Sequence, residues 1–166
     1  MSIDPSSLPR STFVPAAPVV KPSADLINQV LDELQVNHFT DEEGDICAPW
    51  EGFRVYFMLR GDKHEIFTVR MFLDREFPPG DRPRLLELLD EWHRQFFWPK
   101  VYTHEHEGAL RLIGEAQLDC EPGINRELFV FTTRAWISTC ISFGNWINEQ
   151  YPDPDAKPAD GDPDEA

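Results

Sequence analysis

The chain of 166 residues is long enough for one core, and 41% hydrophobic residues, with 12 Phe and 5 Trp, supply large side chains to fill it. A formal net charge of −15 and a pI near 4.6 oppose binding to phosphate backbones and to anionic membrane surfaces. No charged leader precedes an apolar run and no stretch of about 18 apolar residues occurs, so the sequence predicts a cytoplasmic protein with neither nucleic acid nor membrane as partner.

Residues 1–22 hold five prolines among Ser, Ala and Val, a composition expected to give a disordered leader. Ser23 then offers an N-cap, and Leu26, Ile27, Val30, Leu31 and Leu34 share one face of a first helix. Val36–Phe39 reads as a short strand, followed by the acidic turn Asp41, Glu42, Glu43, Gly44 and a return strand over Ile46–Ala48. After a turn at Trp50–Phe53, the residues Phe53, Val55, Phe57 and Leu59 alternate with Arg54, Tyr56, Met58 and Arg60, the period of a strand. Gly61 and Asp62 are expected to close a hairpin into His64–Leu73, where Phe67, Val69, Met71 and Leu73 face one way and Ile66, Thr68, Arg70 and Phe72 the other.

Asp81 is placed to cap a central helix whose Leu85, Leu88, Leu89, Trp92 and Phe96 recur at helical spacing, with Trp98 and Pro99 ending it. Lys100–His106 and Ala109–Leu118 form a second hairpin around Glu107–Gly108. Asn125 then caps a long segment with a broad apolar face that includes Leu128, Phe129, Trp136, Cys140, Phe143 and Ile147. Its length predicts helix although Val130, Thr132, Thr133, Ile137 and Thr139 are β-branched. Residues 152–166 alternate prolines with acids and are expected to be a disordered acidic tail. The domain organisation is therefore a leader over 1–22, one α+β domain over 23–151 and the tail.

Candidate chemistry is sparse. His104 and His106 fall on one face of a strand, the geometry of half a metal site, and with His93 they define the alternative reading of a small metal- or ligand-binding enzyme. No Gly-rich phosphate loop, nucleophile elbow or zinc-protease motif is present, so no catalytic residue, metal or cofactor is predicted. Arg60-Gly61-Asp62 spells an adhesion tripeptide, which in a cytosolic chain is turn chemistry. Cys47, Cys120 and Cys140, odd in number and widely spaced, read as free thiols. A different signal comes from the second face of the sheet, where Tyr56, Met58, Ile66, Phe72 and Ile113 lie on the alternate registers. Either the first and last helices cover that face or a partner does. Trp92 and Trp98, on the central helix and at its end, complete the candidate binding set.

Several of these pieces, in order, resemble the YbjN-domain family, whose members are described as "putative bacterial sensory transduction regulators" and are similar in fold to type III secretion chaperones. The resemblance is carried by Glu43-Gly44-Asp45 before Trp50-Glu51-Gly52, by Leu89-Asp90-Glu91-Trp92, by Trp98-Pro99-Lys100-Val101-Tyr102, and by Gly108 leading into Leu110-Arg111-Leu112. It spans residues 24 to 151 and departs from the family at His93, where an Asn is expected. It implies an α-β-β-β-α-β-β-α domain, an antiparallel β-sheet packed with helices, that binds other proteins without catalysis and commonly forms a homodimer. The element order read from periodicity agrees. The function expected from these readings is a non-enzymatic, chaperone-like or regulatory domain holding a protein partner or a second copy through an apolar sheet or helix face. A third reading has the acidic tail engaging a basic partner.

Overall fold

The computed structural model describes residues 18–152, so the expected leader and tail lie outside it except at their inner ends. At one of those ends the structure adds an element. Val19–Val20 form a two-residue strand, β1, paired antiparallel with Ile124–Asn125 (β8). The ordered fold thus starts ahead of residue 23.

The long elements follow the predicted order. They are α1 (Ala24–Glu33), β3 (Ile46–Trp50), β4 (Phe53–Arg60), β5 (Ile66–Leu73), α2 (Arg82–Gln95), β6 (Lys100–His106), β7 (Ala109–Asp119) and α3 (Arg126–Gln150). With the two-residue β2 (Phe39–Thr40), the strands build one antiparallel sheet of order β2-β3-β4-β5-β7-β6. The α+β class predicted from the sequence is the class observed.

All three helices pack on one face of this sheet. Phe53, Val55, Phe57, Phe67, Val69, Met71, Leu73, Leu110, Leu112 and Ala116 form a single core with Ile27, Val30 and Leu31 of α1, Leu85, Leu88, Leu89 and Trp92 of α2, and the inner face of α3. Phe67 lies 4.6 Å from Phe129 and 5.7 Å from Trp136, ring centre to ring centre. That burial explains why α3 runs 25 residues through seven β-branched positions. Large aromatic burial outweighs a helix-propensity deficit of tenths of a kcal/mol per residue.

Four local expectations are revised. Val36 does not begin a strand. Its N–H bonds to Leu31 O while Gln35, at φ 56°, donates to Asp32 O, which is a left-handed helix C-cap, so the strand starts later at Phe39. The β4–β5 connection runs from Gly61 to Glu65, because Arg60 pairs with Ile66, and the strand therefore starts at Ile66 and not His64. Asp81 does not cap α2 through its side chain, since a 3-10 turn at Pro79–Asp81 leads straight into the helix and leaves Asp81 already helical. Its carboxylate instead accepts the Tyr151 hydroxyl. Finally, α2 ends at Gln95, with Phe96 extended, three residues short of Trp98.

The α2–β6 junction is held by Trp92. Its ring is 1% exposed, stacks on Phe96 at 4.0 Å and touches Phe143 and Trp146, and its indole N–H donates to Pro99 O at 3.2 Å. Gly114 of β7 allows Pro99 to sit close, since a Cβ there would lie 3.1 Å from the Pro99 ring. Replacing Trp92 with Ala is expected to lower unfolding free energy by about 3–5 kcal/mol, read by chemical denaturation.

Candidate functional site: the uncovered face of the sheet

The opposite face of the sheet has no helix over it among the described residues. Side chains on the alternate registers therefore organise one another. In one row across the strands stand Arg54, Phe72, Ile113 and Tyr102, and in the next Tyr56, Arg70, Glu115 and Lys100. Tyr56 and Phe72 meet edge to face at 5.6 Å.

Charge pairs of opposite sign frame these apolar groups. Glu115, only 6% exposed, accepts from Arg70 Nε at 3.0 Å and lies 2.9 Å from Lys100 Nζ. Burial pushes the Glu115 carboxyl up, but hydrogen bonds from Arg70 and Lys100 and the two positive charges outweigh it and hold the carboxyl below its ordinary range. Arg54 pairs with Asp74 at 3.0 Å, Arg111 pairs with Glu76, and Arg60 covers the sulfur of Met58 at 2.8 Å. At one end the turn between β2 and β3 is ordered by Asp41, whose Oδ1 accepts the N–H groups of Glu43 at 3.0 Å and Asp45 at 2.9 Å. The result is a shallow groove of about 450 Å³ with Tyr56, Met58 and Phe72 on its floor, arginines along it and an acidic lip of Asp41, Glu43 and Asp45.

Five of the seven residues predicted as binding groups come together on this face. Tyr56, Ile66 and Phe72 are half-buried there, while Met58 and Ile113 are 5% and 7% exposed beneath their charged neighbours. The other two are elsewhere. Trp92 is inside the helix-side core, and Trp98 lies on the α2–β6 loop against Trp136, at 5.8 Å. Sequence reading missed the Arg70–Glu115–Lys100 cluster. The only signal was a charged residue at the outward register of three strands, and it becomes a cluster only when the pairing register is known.

The three histidines of the alternative reading do not converge. His93 Nε2 accepts the Val101 N–H at 2.9 Å, closing the outer edge of β6. His104 and His106 lie side by side on β6 with ring centres 6.2 Å apart, and no group of three His, Cys, Asp or Glu side chains among the described residues is arranged to hold a metal ion. The three thiols are buried, and burial pushes Cys140 up to about 12, far from a nucleophilic thiolate.

The model of one family, "putative bacterial sensory transduction regulator", matches residues 23–149. The chain belongs to the YbjN family. The fold agrees with this membership: the crystal structure of YbjN from E. coli, described there as "a putative transcription regulator", superposes with a TM-score of 0.67 at 16% identity, covering 81% of this chain and 96% of that one. No curated protein matches the chain. No described helix is long and apolar enough to cross a membrane. Within the YbjN frame, the family expected from Trp98-Pro99-Lys100 and the surrounding pieces is the one found, with His93 at the position where an Asn was expected.

Two acid-side dependences follow from the pKa directions. Burial lowers the pKa of His93 from its ordinary 6.5, so the stability tied to its neutral form is complete above pH 6.5 and is lost as pH falls through the lowered value. His93→Gln, which keeps an acceptor, is expected to flatten that part of a stability-against-pH profile. Glu115, held below its ordinary 4.5, contributes stability above pH 4.5 that is lost at lower pH. Glu115→Gln should cost about 1–3 kcal/mol at pH 7 and remove this second slope, measured by urea unfolding across pH.

Proposed function

We propose that this domain is a non-enzymatic regulator that works by holding a segment of a partner protein on the uncovered face of its sheet. The observation that carries the reading is the placement of all three helices on the other face. A six-stranded sheet with one open side presents fixed rows of side chains to whatever arrives. The Tyr56–Phe72 pair offers an aromatic notch for an apolar side chain, and the acidic lip of Asp41, Glu43 and Asp45 suits a basic residue at one end of the same segment.

Support also comes from how the face is stiffened. Paired charges pin Arg54, Arg70, Lys100 and Arg111, so a partner meets a preorganised surface and loses little side-chain entropy on binding. The family description as a regulator points the same way. A chaperone-like role, in which the bound segment belongs to a client, is one form of this activity. Cytoplasmic residence fits the free buried thiols.

The test is quantitative capture of a partner from native cytosol by the full chain and by the Tyr56→Ala/Phe72→Ala variant. The specific partner should be lost or bound at least about tenfold more weakly by the variant, with little change in the helix-side fold. A partner retained at wild-type strength overturns the assignment of this face. Removal of residues 153–166 should leave capture intact, whereas a tail-driven association would disappear with them. Stoichiometric transition metal in the purified protein would instead favour the histidine-based alternative.

A further inference from the structure

The floor of the groove lies on strands whose backbone is already committed. β4 is paired with β3 on one side and β5 on the other, and β5 with β4 and β7. Their N–H and C=O groups are held in these ladders, in the plane of the sheet, and none is offered to a chain lying on the face. The side-chain donors beside the floor are engaged too, Arg54 with Asp74, Arg70 with Glu115 and Arg111 with Glu76. An extended segment laid over Tyr56 and Phe72 would press its own peptide groups against aromatic rings, and each group left unpaired there is unfavourable. A helix arrives with its backbone bonds made. The other face of the sheet meets the same condition, and helices cover it.

The spacing of the floor also suits a helix. Met58 and Tyr56 are two residues apart on β4, about 6.6 Å, and Phe72 stands opposite Arg54, two residues further along. Residues at i, i+4 and i+7 of a helix step by about 4.5–6 Å along its axis and share one side, so three of them can follow these three side chains. Phe39, 51% exposed, adds an apolar wall, because it stands in one row with Cys47 and Tyr56.

The acidic lip sets the direction. It lies at the Met58 end of the groove, since Ile46 pairs with Phe57 and Arg60 comes within 3.8 Å of Asp45. Asp41 holds the turn together, and Glu43 and Asp45 line the groove beside it. The first turn of a helix presents N–H groups without intrahelical partners and the positive end of the dipole, both complementary to carboxylates. A helix C-terminus at this point would set carbonyl oxygens against them. Taking this face as the surface that holds the partner, as proposed above, we infer that the segment held is an amphipathic helix. It lies along β4 and β5 with a basic N-terminal turn at the lip and apolar residues at i, i+4 and i+7 over Met58, Tyr56 and Phe72.

Fluorescence anisotropy of the full chain with labelled peptides of about 14 residues, four turns, tests this. The first peptide carries Leu at i, i+4 and i+7 and Lys in its first turn. The second has the same composition with Leu at alternate positions, the third is the first with a central Pro, and the fourth has its Lys in the last turn. The first should bind in about the micromolar to tens of micromolar range and gain helical circular dichroism on binding. The second and third should bind at least about tenfold more weakly. The fourth should bind several-fold more weakly, as should the first peptide to Glu43→Lys. Tyr56→Ala/Phe72→Ala, with an unchanged far-UV spectrum of the free protein, should weaken the first peptide at least about tenfold. Equal binding of the alternating or the Pro-containing peptide overturns the helical occupant and leaves the face as the partner surface. Failure of every peptide to bind does the same, because capture of the native partner reads the face independently. Equal binding of the fourth peptide overturns the direction. Binding of the first peptide that survives Tyr56→Ala/Phe72→Ala overturns both the helix and the face.

Discussion

Phe67 sits near the start of β5, fully buried, with Phe129 and Trp136 of α3 closed over it. This contact commits the longest helix to one side of the sheet. With α3 there, α2 lies on the same side, because Trp92 packs against both Phe143 and Trp146 of α3. The 10-residue α1 buries Ile27, Val30 and Leu31 in the same layer. The described chain therefore places the buried apolar stripe of each helix on one face of the sheet. The condition of the other face is a consequence of that choice and not a separate design.

A bare sheet face faces two demands, solubility and order. Arginine meets both, because its stem lies over apolar neighbours while its guanidinium stays in water or on a carboxylate. Met58 and Ile113 are nearly inaccessible although none of the described helices covers them, and the groups above them are Arg60 and the charged row around Arg70 and Glu115. Glu115 shows how far this goes. It is buried as deeply as many core residues and remains ionised because two cations reach it. The pairs gain modest stability, as partly exposed ion pairs do, but they fix where each side chain stands. Order of that kind is worth more to a binding surface than to the fold itself.

Much of the fold was legible because its signals are local. Glu107 and Gly108 adopt φ of 51° and 79°, the left-handed pair that a two-residue hairpin turn needs, and an Xaa-Gly dipeptide between alternating strands announces it. Asn125 accepts the N–H groups of Glu127 and Leu128, as a cap at the head of a periodic segment should. What stayed hidden was non-local. Nothing near Val19 in the chain shows that it pairs with Asn125, and nothing near Arg70 shows that Glu115 lies opposite. Asp81 looked like a cap because its position in sequence was right, yet the Pro79–Asp81 turn and the Tyr151 hydroxyl gave it other work. The second face was legible as alternation, and five of its residues were named, but alternation alone left open whether helices or a partner cover it. Its charged frame required the register.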